Sequence, residues 1–126
     1  NEAHYYRAKA YLDAGKVEGA MDDLKILAKD TRNIYGAEAK YKVAQIYFDA
    51  GQTEQAEKEV LDYIEVSTPH TYWLARSFVL LSDVYMKLGR NLDAKQYLLS
   101  LKQNYQADDD IAGMIESRLN KLNAEN

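Results

Sequence analysis

Cysteine is absent from the 126 residues, which removes disulfides, thiol nucleophiles and thiolate metal sites and leaves both reducing and oxidising compartments open. There is a single proline and only six glycines, and 29% of the residues are charged, a composition that excludes collagen-like and disordered chains. No run of lysine and arginine occurs and the formal net charge is −4, which argues against a nucleic-acid partner, because phosphate binding needs clustered cations. No apolar run approaches the ~20 residues of a membrane span, so no membrane insertion is expected. Histidine occurs only at His4 and His70, without a second ligand at metal-binding spacing, and Asp108, Asp109 and Asp110 lack the alternation and glycine of a calcium loop. No nucleophile–base pair or paired-acid arrangement is readable. No enzyme, catalytic residue, metal or cofactor is therefore expected.

What the chain has is a repeat. Ala44, Tyr47, Gly51 and Ala56 match Ala8, Tyr11, Gly15 and Ala20, and again Ser82, Tyr85, Gly89 and Ala94. Tyr11 and Tyr47 stand 36 residues apart, Tyr47 and Tyr85 38. Each slot has a mechanical reason to recur. The small residues let two antiparallel helices approach, the tyrosine fills the space beside them, and the glycine takes the positive φ that ends the first helix. The excess of tyrosine, 11 residues, follows largely from the repeat.

These slots and this period resemble the tetratricopeptide repeat over about the first 105 residues. The departures are local. The family's tryptophan slot holds His4, Lys40 and Phe78, and its leucine slot Arg7, Val43 and Leu81, so the first unit departs most. The resemblance implies an all-α superhelix, a solenoid of three helix-turn-helix repeats (about 1–34, 37–70 and 71–107) plus a C-terminal capping helix (about 109–124), all in one domain over 1–126. Its core would lie in slices between neighbouring repeats.

The periodicity predicts helices over about Glu2 to Asp13, Val17 to Lys29, Tyr35 to Ala50, Thr53 to Val66, His70 to Leu88 and Leu92 to Asn104. Thr53 and Asn91 are expected as N-caps, and Thr68 as the cap of a helix opened by Pro69. The two extra residues of the second unit are expected to lengthen the junction at Ser67-Thr68-Pro69. Ile111, Ile115, Leu119 and Leu122 form one apolar stripe behind the three aspartates, as a capping helix requires. The chain starts at Asn1 without a comparable cap, so further repeats are expected to precede it.

The resemblance also implies a concave face. Carried over slot by slot, its residues include Tyr5, Lys9 and Leu12 in the first unit, Tyr41, Gln45 and Phe48 in the second, and Arg76, Val79, Asp83 and Met86 in the third. Tyr5, Tyr41 and Val79 form one apolar ladder and Leu12, Phe48 and Met86 another, which is what a groove for a peptide or helix requires. The subfamily that clamps the C-terminal carboxylate of chaperones expects Lys, Asn, Asn, Lys and Arg where this chain has Tyr5, Lys9, Lys42, Arg76 and Leu80, so that ligand is rejected. The expected function is a non-enzymatic scaffold that holds a protein or peptide partner in the concave groove. The alternative is a structural cap, spacer or self-association module at the end of a longer solenoid. The wording from Tyr72-Trp73-Leu74-Ala75-Arg76 to Lys95-Gln96-Tyr97-Leu98 is similar to the C-terminal end of long bacterial envelope proteins of this family, which favours a periplasmic or envelope-associated place.

Overall fold

In the computed structural model, which describes residues 1–66 and 68–124, each tyrosine-to-glycine spacing is a helix end. The amide of the residue after each glycine donates to the tyrosine carbonyl: Lys16 to Tyr11 (2.7 Å), Gln52 to Tyr47 (2.9 Å) and Arg90 to Tyr85 (2.7 Å). The glycine amides bond to Leu12, Phe48 and Met86. This is the Schellman closure, and it needs a left-handed residue at its pivot. Gly15, Gly51 and Gly89 supply it, with φ of 75°, 79° and 77°.

Among the described residues there are seven helices: α1 (Glu2–Asp13), α2 (Val17–Leu27), α3 (Ile34–Asp49), α4 (Thr53–Glu65), α5 (Thr71–Lys87), α6 (Asn91–Asn104) and α7 (Ile111–Ala124). They pair as α1/α2, α3/α4 and α5/α6. Helices α1, α3, α5 and α7 touch in succession, whereas α2, α4 and α6 do not touch one another. Thus α7 stands where the first helix of a fourth repeat would stand. The small slots work as their spacing implies: Ala8, Ala20, Ala44, Ala56, Ser82 and Ala94 are buried. The core lies in two slices. One groups Leu24 and Leu27 with Ala39 and Val43, and the other joins α3 to α7 through Val60, Leu80, Leu98 and Ile115.

The polar departures in the first unit have partners. His4 and Arg7 both donate to Asp23 of α2, Arg7 through two nitrogens at 2.8 and 2.6 Å. The equivalent pair is Lys40–Glu59 (2.7 Å) in the second unit and the stacked rings Phe78–Tyr97 (6.2 Å) in the third. One contact between paired helices is thus made with ions twice and with aromatic rings once. The Arg7 guanidinium holds the buried Asp23 carboxyl at about 2, against the opposing effect of burial and with help from His4. A lowered carboxyl contributes its stability in full above the unfolded value near 4 and loses it as the pH falls toward 2. Arg7 is 59% exposed, so solvent screens the pair. Asp23→Asn is expected to lower stability near neutral pH. The gap to the parent should narrow as the pH falls below about 4 and close toward pH 2, as read by urea unfolding across that range.

Three expectations are corrected. Thr53 and Asn91 are the first helical residues. The cap positions are Gln52 and Arg90, which make no side-chain cap bond: the turn leaves one residue between the glycine and the next helix and ties its amide to the tyrosine carbonyl. Pro69 and Thr68 precede the α5 cap residue, His70. The Thr68 hydroxyl accepts from the His70 amide and donates to the Thr31 carbonyl (2.8 Å), fastening one inter-repeat junction to the next. The two extra residues of the second unit lengthen α4, which runs to Glu65, two positions beyond Tyr63, the equivalent of the last residue of α2. Ser67, named in that junction, and residues 125–126 of the expected domain lie outside the described residues.

Gly51→Val is expected to remove roughly 2 kcal/mol, because a β-branched residue resists positive φ although the space beside it is open. Gly113→Ala is expected to do the reverse. It lies in helix α7 with nothing near its Cβ position, so it should gain about 0.5–1 kcal/mol. Thermal unfolding of both variants checks the pair.

Candidate partner-binding groove

The α1, α3, α5 and α7 layer carries the residues expected on the concave face, and three tiers of polar contacts link the helices there. In the first, the Tyr5 hydroxyl donates to Glu38 (3.2 Å), which also pairs with Lys42 (2.6 Å). The Tyr5 ring packs on Tyr35 (4.6 Å) and lies under the Lys9 ammonium (5.4 Å). In the second, Arg76 donates to the hydroxyls of Tyr41 (3.1 Å) and Tyr72 (2.8 Å), with its guanidinium 4.9 Å from the centre of the Tyr41 ring. Tyr41 donates onward to Gln45, Gln45 to Asp49, and Tyr72 to Asp110. In the third, Arg118 of α7 forks onto both oxygens of Asp83 (2.7 and 2.9 Å).

Each tier joins a helix of this layer to the next, so these bonds help set the angle between repeats. Burial, then the neighbouring carboxylate, raises the Tyr5 hydroxyl above its ordinary pKa. Burial does the same at Tyr72, where Asp110 adds to it and Arg76 opposes it. Both hydroxyls therefore stay protonated, and remain donors, across the physiological range.

The expected site residues divide accordingly. Tyr5, Tyr41, Arg76 and Asp83 are brought together with neighbouring repeats and spend hydrogen bonds on them. Tyr41 is only 7% exposed and Val79 3%, so two rungs of the ladder of Tyr5, Tyr41 and Val79 are support under the surface, and only Tyr5 is half-buried. The cause is α5, which packs Trp73 against Tyr41 (5.6 Å). The second ladder stays accessible: Leu12, Phe48 and Met86 are half-buried, with Gln45 half-buried and Lys9 exposed beside them. These three are the residues whose carbonyls close the glycine turns, so the same local geometry fixes their positions in all three units.

A cavity of about 120 Å³ opens among Tyr41, Gln45, Arg76, Asp83, Met114 and Arg118. Tyr72, Asp110 and Arg118 were not anticipated at this site. The available signal was spacing: Arg118 lies 35 residues from Asp83, the same separation as Arg76 from Tyr41.

Elsewhere His4 engages Asp23, and the His70 ring donates to the Arg32 carbonyl (2.9 Å). Among the described residues no group of three or more His, Cys, Asp or Glu is placed to hold a metal ion, and no helix is long and apolar enough to cross a membrane.

No curated protein and no solved structure matches the chain significantly. Residues 2–30 match the family model for the tetratricopeptide repeat. That match falls on α1 and α2, the unit with the most polar slots, and the units that follow repeat its glycine turn and its buried small residues. Scaffolding of protein–protein contacts is the general role of this family, which is generally non-enzymatic. With the first unit matched and the next two built on the same slots, the chain carries a tetratricopeptide-repeat domain, an all-helical repeat solenoid.

Proposed function

We propose that the domain holds an extended or helical segment of a partner protein in the concave groove, along the row Leu12, Phe48 and Met86. The observation that carries this reading is that one apolar residue per repeat stays accessible in register, at a position fixed by the helix-ending turn. Lys9 and Gln45 flank the row and supply polar recognition, and Tyr5, Tyr41, Val79, Arg76 and Asp83 hold the helices that present it. A place in the bacterial cell envelope belongs to this reading and rests on the wording of residues 72–76 and 95–98 alone.

A second reading is favoured by the tiers themselves. A concave face whose polar groups bond to one another serves equally as a spacer or end cap. Peptide display against the purified chain separates the two, with a Phe48→Ala, Met86→Ala variant of intact helicity as the comparison. The groove reading expects a motif enriched by the parent and lost in the variant. Selection of nothing by either contradicts it and leaves the spacer.

A further inference from the structure

A cleft of about 490 Å³ opens between the C-terminal turns of α5 and α7, lined by Asp83, Met86, Lys87, Gly89, Asn91 and Lys121. Arg118 neutralises Asp83 through its two bonds. Lys87 and Lys121 are exposed, and neither is in an ion pair among the described residues. The cleft is therefore cationic on a chain whose formal net charge is −4. A lysine in the last turn complements each helix dipole, but that does not require both to line one cleft. The register sharpens the point: the position of Lys87 is Asp13 in the first unit and Asp49 in the second, so the cation is confined to this end. Met86 adds an apolar side chain at the same place.

We propose that this cleft takes an acidic segment of a protein partner, with its carboxylates on Lys87 and Lys121 and a neighbouring apolar side chain against Met86. The inference rests on the groove reading and adds to it the chemistry of the ligand at one end of the row. The test is an amide-resolved NMR titration of the full chain with a capped pentapeptide alternating aspartate and leucine, beside the same peptide with asparagine for aspartate. The expected result is saturable shifts at Lys87, Gly89, Asn91 and Lys121 with the acidic peptide only. Affinity should fall roughly tenfold or more in a Lys87→Glu, Lys121→Glu variant of unchanged helicity, and should fall with added salt. No saturable shift at those amides overturns the proposal, as does an equal response to the asparagine peptide or undiminished binding by the variant. Shifts confined to Leu12, Gln45 and Phe48 overturn it while the groove reading stands, and shifts confined to α2 and α4 contradict both.

Discussion

Gly36→Ala is expected to lower the melting temperature by roughly 10 °C or more, equivalent to about 3 kcal/mol. A Cβ at Gly36 would run into the Asp30 carbonyl oxygen and lie 2.6 Å from that of Leu27. Both are backbone atoms, so no side chain can swing aside, and the α2–α3 junction itself must move. That junction is tight for this reason. The corresponding residue of the next unit is Leu74, and there α4 runs two residues longer before the chain turns. The effect comes from contact and not from backbone freedom, since Gly36 is not among the glycines with positive φ. Thermal unfolding beside Gly113→Ala makes the measurement: the same substitution, also in a helix, should destabilise at one site and stabilise at the other. A Gly36→Ala protein that melts with the parent would refute the close approach.

Ile115→Asp is expected to be comparably damaging, at about 3–5 kcal/mol. Ile115 is 2% exposed and packs in the slice that includes Leu80, Leu98 and Ile111. The substitution removes an aliphatic contact and leaves a carboxylate in an apolar seam. Helix α7 should detach, uncovering the edge of the third repeat, so binding of a hydrophobic dye should rise as helicity falls. Arg118→Ala tests the same helix from its polar side and should cost only about 1 kcal/mol, because the bond to Asp83 is partly exposed. Wild-type melting of Ile115→Asp would mean that α7 does not cover that edge.

Much of this architecture was legible in residue spacing because the spacing is local geometry. A tyrosine four residues before a glycine is the start of a Schellman closure, and the small slots 12 residues apart, such as Ala8 and Ala20, are where paired helices cross. The stripe of Ile111, Ile115, Leu119 and Leu122 was legible for the same reason, and all four residues are buried. What escaped depends on how neighbouring repeats meet. Gly36 reads as an ordinary helical glycine until the preceding turn is brought against it. The slots carried over for the concave face give a direction and not an occupancy. Tyr5 and Glu38 lie 33 residues apart, and only the crossing angle of α1 and α3 brings them into bonding distance. Tyr41 likewise reads as an open aromatic surface until α5 supplies Arg76 and Trp73.

The most direct test of the proposed groove is an amide-by-amide NMR map of the full chain with the peptide that display selects. Shifts centred on Leu12, Phe48 and Met86, along the ends of α1, α3 and α5, are the predicted result. Shifts centred on the outer helices α2, α4 and α6, with that row unmoved, would contradict it.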